Sequence, residues 1–480
     1  MRRERMSGVD RAWLRMDSPR NPMVIVGLFV FAERLAFDDL SRLLETRLLR
    51  FDRFRQRIEE DLSGHWWVDD PAFRLSRHLR RVRLSRGDPA TLRDYVDRFA
   101  ARPLDLAHPP WEMHFVERPR EAPALVVRIH HCVADGIALV RVMLSLTDDG
   151  LDVPASHDDE HDHFPWQPVL DVAVRAARTS LRLGHLVWSE SMRTLAEPAR
   201  AWARLGSGVR IASDAYSILA MDDDSTTSLK GVPGGTKAVA WNEPLALDEI
   251  KPVCRALGAS VNDVVLACVT GALRRYLIGR GDALGADAEF RAMVPVNLRP
   301  LDEPPSLGNC FGLAPVVLPI GIDNPIARVH EIRARMREMR EGWQPFLSYA
   351  LLASVGPLPE FVQTAILEYL ASKASAVMTN VPGPREPVCL AGARVARILF
   401  WVPQSADIGL GVAVLSYAGG VQFSVRADTA LCPDPQAIAD GFAPEFERLV
   451  LVLAMLPNGV LAGTPPQEGE VERMIGLQWS

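Results

Sequence analysis

The sequence has no long apolar run. Its longest apolar runs, such as Met23–Ala32, fall well short of the ~20 residues a membrane-spanning helix requires, so no span is expected. It also lacks an excess of positive charge. A net charge of −6 leaves no surplus of Lys and Arg to neutralise phosphates, which argues against a nucleic-acid binder while leaving local basic faces open. Cysteine is sparse, and Cys132, Cys254, Cys268, Cys310, Cys389 and Cys432 form no C-x-x-C pair. That excludes a disulfide framework or zinc ribbon and fits reduced, buried thiols in a cytosolic protein. The basic start (Arg2, Arg3, Arg5) soon meets Asp10, Trp13, Arg15 and Asp17 rather than an apolar core, so no secretory signal is expected. What remains is a globular composition, 48% hydrophobic and 24% charged, on 480 residues. That length exceeds what one hydrophobic core serves, so two domains are expected.

Both halves of the chain read as mixed α/β. Val24–Phe31 (VIVGLFVF) is a strand buried on both faces. Phe37–Arg50 repeats Leu40, Leu43, Leu44 and Leu48 at helical spacing, with Asp38 as the expected cap. Asp88-Pro89 opens another helix. Ala124–Ile129 is a strand that runs into His130 and His131, with a helix from Gly136. In the second half, strands are expected at 238–241, 290–296, 313–320, 375–380, 407–417 and 419–427. Helices are expected at 260–277, 325–341, 345–373 and 434–455. The fold class is therefore α/β with two lobes of similar size and a site between them. The boundaries fall at 1–165, a connector at 166–235, and 236–480.

The connector region differs in character. Residues 147–168 are acidic and contain His157, His161 and His163. Nothing there fixes ligand geometry, so a solvated loop is the reading and no metal site is expected. Val169–Leu219 is amphipathic and basic, with Arg175, Arg178, Arg182, Arg193, Arg200 and Arg204. Such a helix lies on an anionic membrane surface or joins two domains, and both readings stand.

The informative run is His130-His131-Cys132-Val133-Ala134-Asp135-Gly136, at a strand–helix junction. Neighbours on a strand point to opposite faces, so at most one of the two histidines enters a given cleft. This weighs against a bis-His metal site. A single neutral imidazole with an ordinary pKa near ~6.5 is suited to accept a hydroxyl proton at neutral pH. Asp135 either caps the following helix or holds the loop by an ion pair with a distant arginine. Both roles are structural.

His130–Gly136 resembles the H-H-x-x-x-D-G signature of the CoA-dependent acyltransferase superfamily, which includes chloramphenicol acetyltransferase and nonribosomal peptide condensation domains. Along nearly its full length the chain resembles the bacterial wax ester synthase/acyl-CoA:diacylglycerol acyltransferase family. The opening MSGVDRAWLRMDSPRNPMVIVGLFVF carries that likeness. So do Arg53–Arg57, His78 within SRHLRRVRL, Pro103-Leu104 and Pro110-Trp111-Glu112. Further on, Ser260–Val265, Val294–Arg299, Gly308-Asn309 and Thr379–Pro384 (TNVPGP) also match. Cys132 and Ala134 depart from the family's usual residues without touching the base or the aspartate.

The resemblance implies two chloramphenicol acetyltransferase-like lobes, each a mixed sheet with helices, and an active site at their interface. It implies that His131 deprotonates an acceptor hydroxyl, which attacks an acyl-CoA thioester directly. No acyl-enzyme forms, in keeping with the lack of a nucleophile elbow. His130 would orient the loop. Asp135 would brace it, with Arg299 as a candidate ion-pair partner, and Gly136 opens the helix. Asn262 and Asp263 are implied supporting residues, although both also suit the first turn of a helix capped by Ser260. Thr379 and Asn380, expected to end a strand, either donate hydrogen bonds to the oxyanion or shape the turn. Residues 346–370 either line an acyl tunnel or pack in the core. No cofactor or metal is implied, acyl-CoA being a substrate.

The expected partners are acyl-CoA and a lipid alcohol, at a peripheral membrane or lipid-droplet surface reached from the cytoplasm. The competing readings are a condensation-type acyltransferase fed by a carrier protein and a non-catalytic lipid-droplet-binding protein.

Overall fold

The computed structural model describes residues 3–62, 64–148, 150, 224–297, 311–341, 369 and 372–455. In chain order the first part forms β1 (Arg3–Arg5), α1 (Gly8–Arg15), β2 (Val24–Phe31) and α2 (Phe37–Thr46). Two 3-10 turns, Leu48–Arg50 and Asp52–Arg55, lead into β3 (Gln56–Asp61), β4 (Gly64–Asp69), α3 (Leu75–His78) and β5 (Leu79–Arg83). Then come α4 (Pro89–Ala100), β6 (Trp111–Glu117), β7 (Ala124–His130) and α5 (Gly136–Ser145). The second part supplies β8 (Lys237–Trp241), β9 (Leu245–Ala246), α6 (Leu247–Leu257), α7 (Val261–Gly279), β10 (Phe290–Asn297), β11 (Phe311–Leu318) and α8 (Pro325–Glu341). It ends with β12 (Ala376–Pro382), β13 (Cys389–Leu390), β14 (Ala393–Trp401), β15 (Leu410–Tyr417), β16 (Gly420–Asp428) and α9 (Pro435–Ala454).

Two mixed sheets organise these elements. The first runs β13-β14-β2-β7-β6-β5 and the second β11-β10-β12-β15-β16-β8, with β9 added on β16. A small sheet, β1-β4-β3, holds the chain's start. In the first sheet β2 pairs antiparallel with β7, placing Val24 opposite His130 and Gly27 opposite Val127. Strand alternation sorts their side chains between two cores. Val24, Val26, Leu28, Ala124 and Val126 face α4, packing with Leu92, Val96 and Phe99. Phe29, Phe31, Leu125, Val127 and Ile129 face the other way, toward α1, α2 and α5. Burial on both faces is what makes β2 continuously apolar, each fully buried Val or Leu being worth roughly 1.5–3 kcal/mol.

The helix starts follow their capping residues. Asp88 accepts the Thr91 amide proton at 2.9 Å with Pro89 in the first turn, and Asp434 caps α9. The expectation for α2 is corrected. Ala36 occupies its cap without a side-chain bond, and Asp38 sits in the first turn, where a carboxylate still favours the positive dipole end. In the second lobe Gly271 leaves room on α7 for the buried Arg328–Glu445 ion pair. A Cβ there would collide with both side chains.

The chain crosses between the lobes late. β14 lies beside β2, with Leu399 opposite Leu28, so residues 389–401 complete the sheet that carries the histidine loop. The divisions at 165 and 235 are thus bridged by a return of the chain. Most of the 166–235 connector, with the basic amphipathic stretch and the three-histidine loop before it, lies outside the described residues. Further links tie the lobes. Arg426 on β16 donates to the Val24 carbonyl at 2.9 Å, and the Val239 amide donates to Asp97 at 2.5 Å. The Trp401 indole donates to the Ala240 carbonyl at 3.3 Å. Among the described residues no single helix is long and apolar enough to cross a membrane. Only α6 and α7 together pass on composition, bent by 99°, and most of α7 is buried.

Candidate active site

β7 delivers the histidine pair to a turn that its neighbours hold from both sides. The His130 amide donates to the Pro110 carbonyl at 2.9 Å and the His131 amide to the Met23 carbonyl at 2.7 Å. His130 is almost fully buried, at 1% exposure. Its Nδ1 accepts the Cys132 amide proton at 3.2 Å, so a neutral ring carries its own proton on Nε2. Nε2 has no hydrogen-bond partner and lies 3.7 Å from Asp17 Oδ1, the oxygen that accepts the Met23 amide proton at 2.6 Å. His130 therefore ties the turn to the segment before β2, which is an orienting job.

His131 points the other way and retains 8% exposure. Its ring stacks on Trp13 of α1, with centroids 4.4 Å apart and planes at 23°. Cys132 beside it is sealed, and burial pushes its thiol well above the usual range, so it supplies no thiolate nucleophile. Asp135 is buried at the N-cap of α5, where its carboxylate accepts the Ala138 amide proton at 2.8 Å. The capping role read from the sequence is in place. Arg299 lies outside the described residues.

An apolar cavity of about 90 Å3 opens on the same side of the sheet as His131. Ile25, Gly27, Val127 and Ile129 form its floor, and Gly136, Leu139, Val140 and Met143 of α5 its roof. Phe400 of β14 and the Gly383-Pro384 turn close it from the second half of the chain, and among the described residues Thr147 is the one polar side chain in the wall. Val127 and Ile129 are successive positions of β7 on that face, and His131 follows the strand's last residue, His130, two positions beyond Ile129. His131 thus lies just beyond the row that lines this apolar cavity and is not itself one of the lining residues. The stretch 346–370, read from the sequence as a candidate tunnel, lies outside the described residues.

The other candidates fall in the second lobe. Asp263 forms a capping box with Ser260: its carboxylate accepts the Ser260 amide proton at 2.9 Å, and Ser260 Oγ accepts the Asp263 amide proton at 3.2 Å. The carboxylate is buried against its own helix. Asn262 is directed outward and accepts a hydrogen bond from the Asn380 amide at 2.7 Å, so two separately chosen residues meet. Thr379 and Asn380 do not end their strand, because β12 continues through Pro382 in parallel register with β15. Being adjacent in a strand they face opposite sides, Thr379 buried and Asn380 exposed, so at most one could reach a given oxyanion. His78 is sandwiched between Phe73 and Trp111, and burial lowers its pKa, which marks a neutral packing histidine. Among the described residues no three His, Cys, Asp or Glu side chains converge as metal ligands do.

Sequence reasoning passed over Trp13, Asp17 and Gly27. Asp10 and Trp13 sit three apart behind the Ser7 cap, a spacing that shows one helix face but not what the face meets.

Residues 6–265 match the wax ester synthase/diacylglycerol acyltransferase catalytic domain, and residues 307–450 match the WS/DGAT C-terminal domain. The Mycobacterium tuberculosis protein named "Probable diacyglycerol O-acyltransferase tgs1" is 30% identical over 93% of this chain and 96% of its own length. Among solved structures, the wax ester synthase/diacylglycerol acyltransferase from Marinobacter aquaeolei VT8 superposes with a TM-score of 0.65 at 20% identity. The match covers 94% of this chain and 100% of that one. The first condensation domain of the calcium-dependent antibiotic synthetase superposes with a TM-score of 0.59 at 17% identity, covering 96% and 98%. These two likenesses establish the two-lobed fold.

Proposed function

The chain belongs to the wax ester synthase/diacylglycerol acyltransferase family, and from that premise we propose that it moves a long-chain fatty acyl group from coenzyme A to diacylglycerol or a fatty alcohol. His131 is the general base. The observation that supports this reading is that His131 follows Val127 and Ile129, two residues that line a cavity whose described walls are almost wholly apolar. An acyl chain laid in that slot brings its thioester carbonyl to the imidazole.

The chemistry then needs one group that takes and returns a proton. His131 removes the hydroxyl proton as the acceptor oxygen attacks the thioester carbon. A C–O bond forms, and the carbonyl electrons move onto oxygen. When the tetrahedral intermediate collapses, the C–S bond breaks and the imidazolium returns its proton to the CoA thiolate. Ester and free CoA leave, and the base is restored. His130 holds the turn through the Cys132 amide, and Asp135 holds it through the start of α5. No metal or prosthetic group enters any step. The acceptor lipid is delivered from a membrane or droplet surface that the protein meets peripherally from the cytoplasm.

The test uses the purified full chain with palmitoyl-CoA, offering dioleoylglycerol and hexadecanol in parallel. General-base help is worth roughly 10²–10⁴-fold, and His131→Ala is expected to lose that much. An unchanged rate would remove His131 from the reaction. Replacing palmitoyl-CoA with a palmitoyl carrier protein tests the donor, and transfer from the carrier alone would overturn the CoA assignment. Flotation of the same preparation with phospholipid vesicles tests the surface, and protein left in the dense fraction would argue against it.

A further inference from the structure

α1 is anchored before it reaches the histidine loop. β1 pairs with β4, Met6 and Val9 are buried, and Ser7 accepts the Asp10 amide proton at 3.0 Å to start the helix. That frame carries Trp13, 7% exposed, onto the His131 ring at 4.4 Å and 23°. The reaction outlined above makes no use of this contact.

The two forms of His131 interact with it differently. A neutral imidazole gains only stacking from an indole. An imidazolium within about 6 Å of the ring centre is also drawn to the negative π face, most strongly where water is excluded. During turnover the ring starts neutral and becomes charged as it takes the acceptor's proton. The contact therefore strengthens toward the transition state, which is the condition for raising a rate rather than merely binding. Among the described residues the charges around this loop include Asp10 on α1, Asp17 after it, Asp135 at the cap of α5 and Arg53 from the second 3-10 turn. His130 is the neighbouring imidazole, and Cys132 is neutral. Exchanging the indole leaves all of these in place.

We propose that Trp13 is a positioning residue for His131, its indole face fixing the plane of the ring and favouring the imidazolium formed during acyl transfer. The inference rests on His131 acting as the base, so its test includes a measurement that needs no turnover.

Trp13→Leu removes the π face while keeping an apolar side chain, and Trp13→Phe keeps a smaller face. In Trp13→Leu the plateau kcat is expected to fall roughly 3- to 30-fold, with both KM values within about twofold. The His131 ring, assigned by comparison with His131→Ala and titrated by NMR, is expected to show a pKa lower by roughly half to one and a half units. Trp13→Phe should fall between Trp13→Leu and the parent on both measures. If Trp13→Leu does not fold, Trp13→Met fills the space without a ring and must show the same drop. A ring titration unmoved in the folded Leu or Met variant overturns the proposal, as does a Phe variant damaged as much as Leu. Were the parent protein inactive with acyl-CoA, the acyl-transfer reading would fail, and the titration would still decide the role of the indole.

Discussion

Replacing Gly27 with valine would put a branched side chain into the floor of the apolar cavity. Gly27 lies on β2 opposite Val127, three residues in from Val24, which faces His130. At about 3.3 Å per residue that is roughly 10 Å from the histidine end, so a short acyl chain stops before it and a long one passes over it. A Cβ at this position would meet Phe29 Cε2 at 3.7 Å, Val127 Cβ at 3.8 Å and the Leu399 carbonyl oxygen at 3.9 Å, all ordinary contacts. The strand should therefore accept a β-branched residue without moving. The three added carbons take their volume from a cavity of about 90 Å3. Each methylene turned out of an apolar site costs ~0.8 kcal/mol, so three cost about 2.4 kcal/mol, close to a 50-fold change in kcat/KM. The assay is a ladder of acyl-CoA donors from octanoyl to stearoyl at fixed dioleoylglycerol. Gly27→Val should lose about 50-fold on palmitoyl-CoA and stay within about threefold on octanoyl-CoA. An equal loss along the ladder, or none in a variant of unchanged melting temperature, would refute the assignment of this slot to the acyl chain.

Two further predictions concern the frame around the site. Asp135→Ala should lower stability by about 1 kcal/mol through loss of the α5 cap, whereas Asp135→Asn, also a good cap, should melt like the parent. Equal destabilisation of the two would refute the capping role. Asp97, which accepts the Val239 amide proton between the lobes, has its pKa raised by burial from 3.8 to about 6. A carboxyl raised on folding contributes stability below its unfolded pKa and loses it as pH rises through its folded one. Asp97→Asn should thus be more stable than the parent at pH 8, by on the order of 1–3 kcal/mol. The gain should shrink as pH falls through about 6 and vanish below the ordinary carboxylate range. Melting curves across pH check it, and a pH-independent difference would contradict the linkage.

Much of the fold was legible because local rules agreed with one another. The VIVGLFVF run became β2 with its expected limits, and Asp88-Pro89 and Ser260 opened the helices they announced. The cap at Asp38 failed because Asp suits both the cap and the first turn, and the pattern of apolar residues does not separate those positions. Thr379 and Asn380 were placed at a strand end because of the Pro-Gly-Pro run two residues on. Pro382 in fact closes β12, and the turn begins at Gly383. β14 went unread, since the bulge between Val395 and Arg397 breaks its alternation midway.

The sequence by itself determined the motif and the family: a histidine pair at a strand–helix junction, an aspartate to cap the helix beyond it, and a family pattern along both halves. Those features are local, set by neighbours within a few residues, and local physics suffices to read them. Only the tertiary structure decided what surrounds His131. Trp13 reaches His131 from over a hundred positions earlier, and β14 closes the slot from over two hundred and fifty positions later. Such contacts depend on how whole layers stack, which no window of residues encodes.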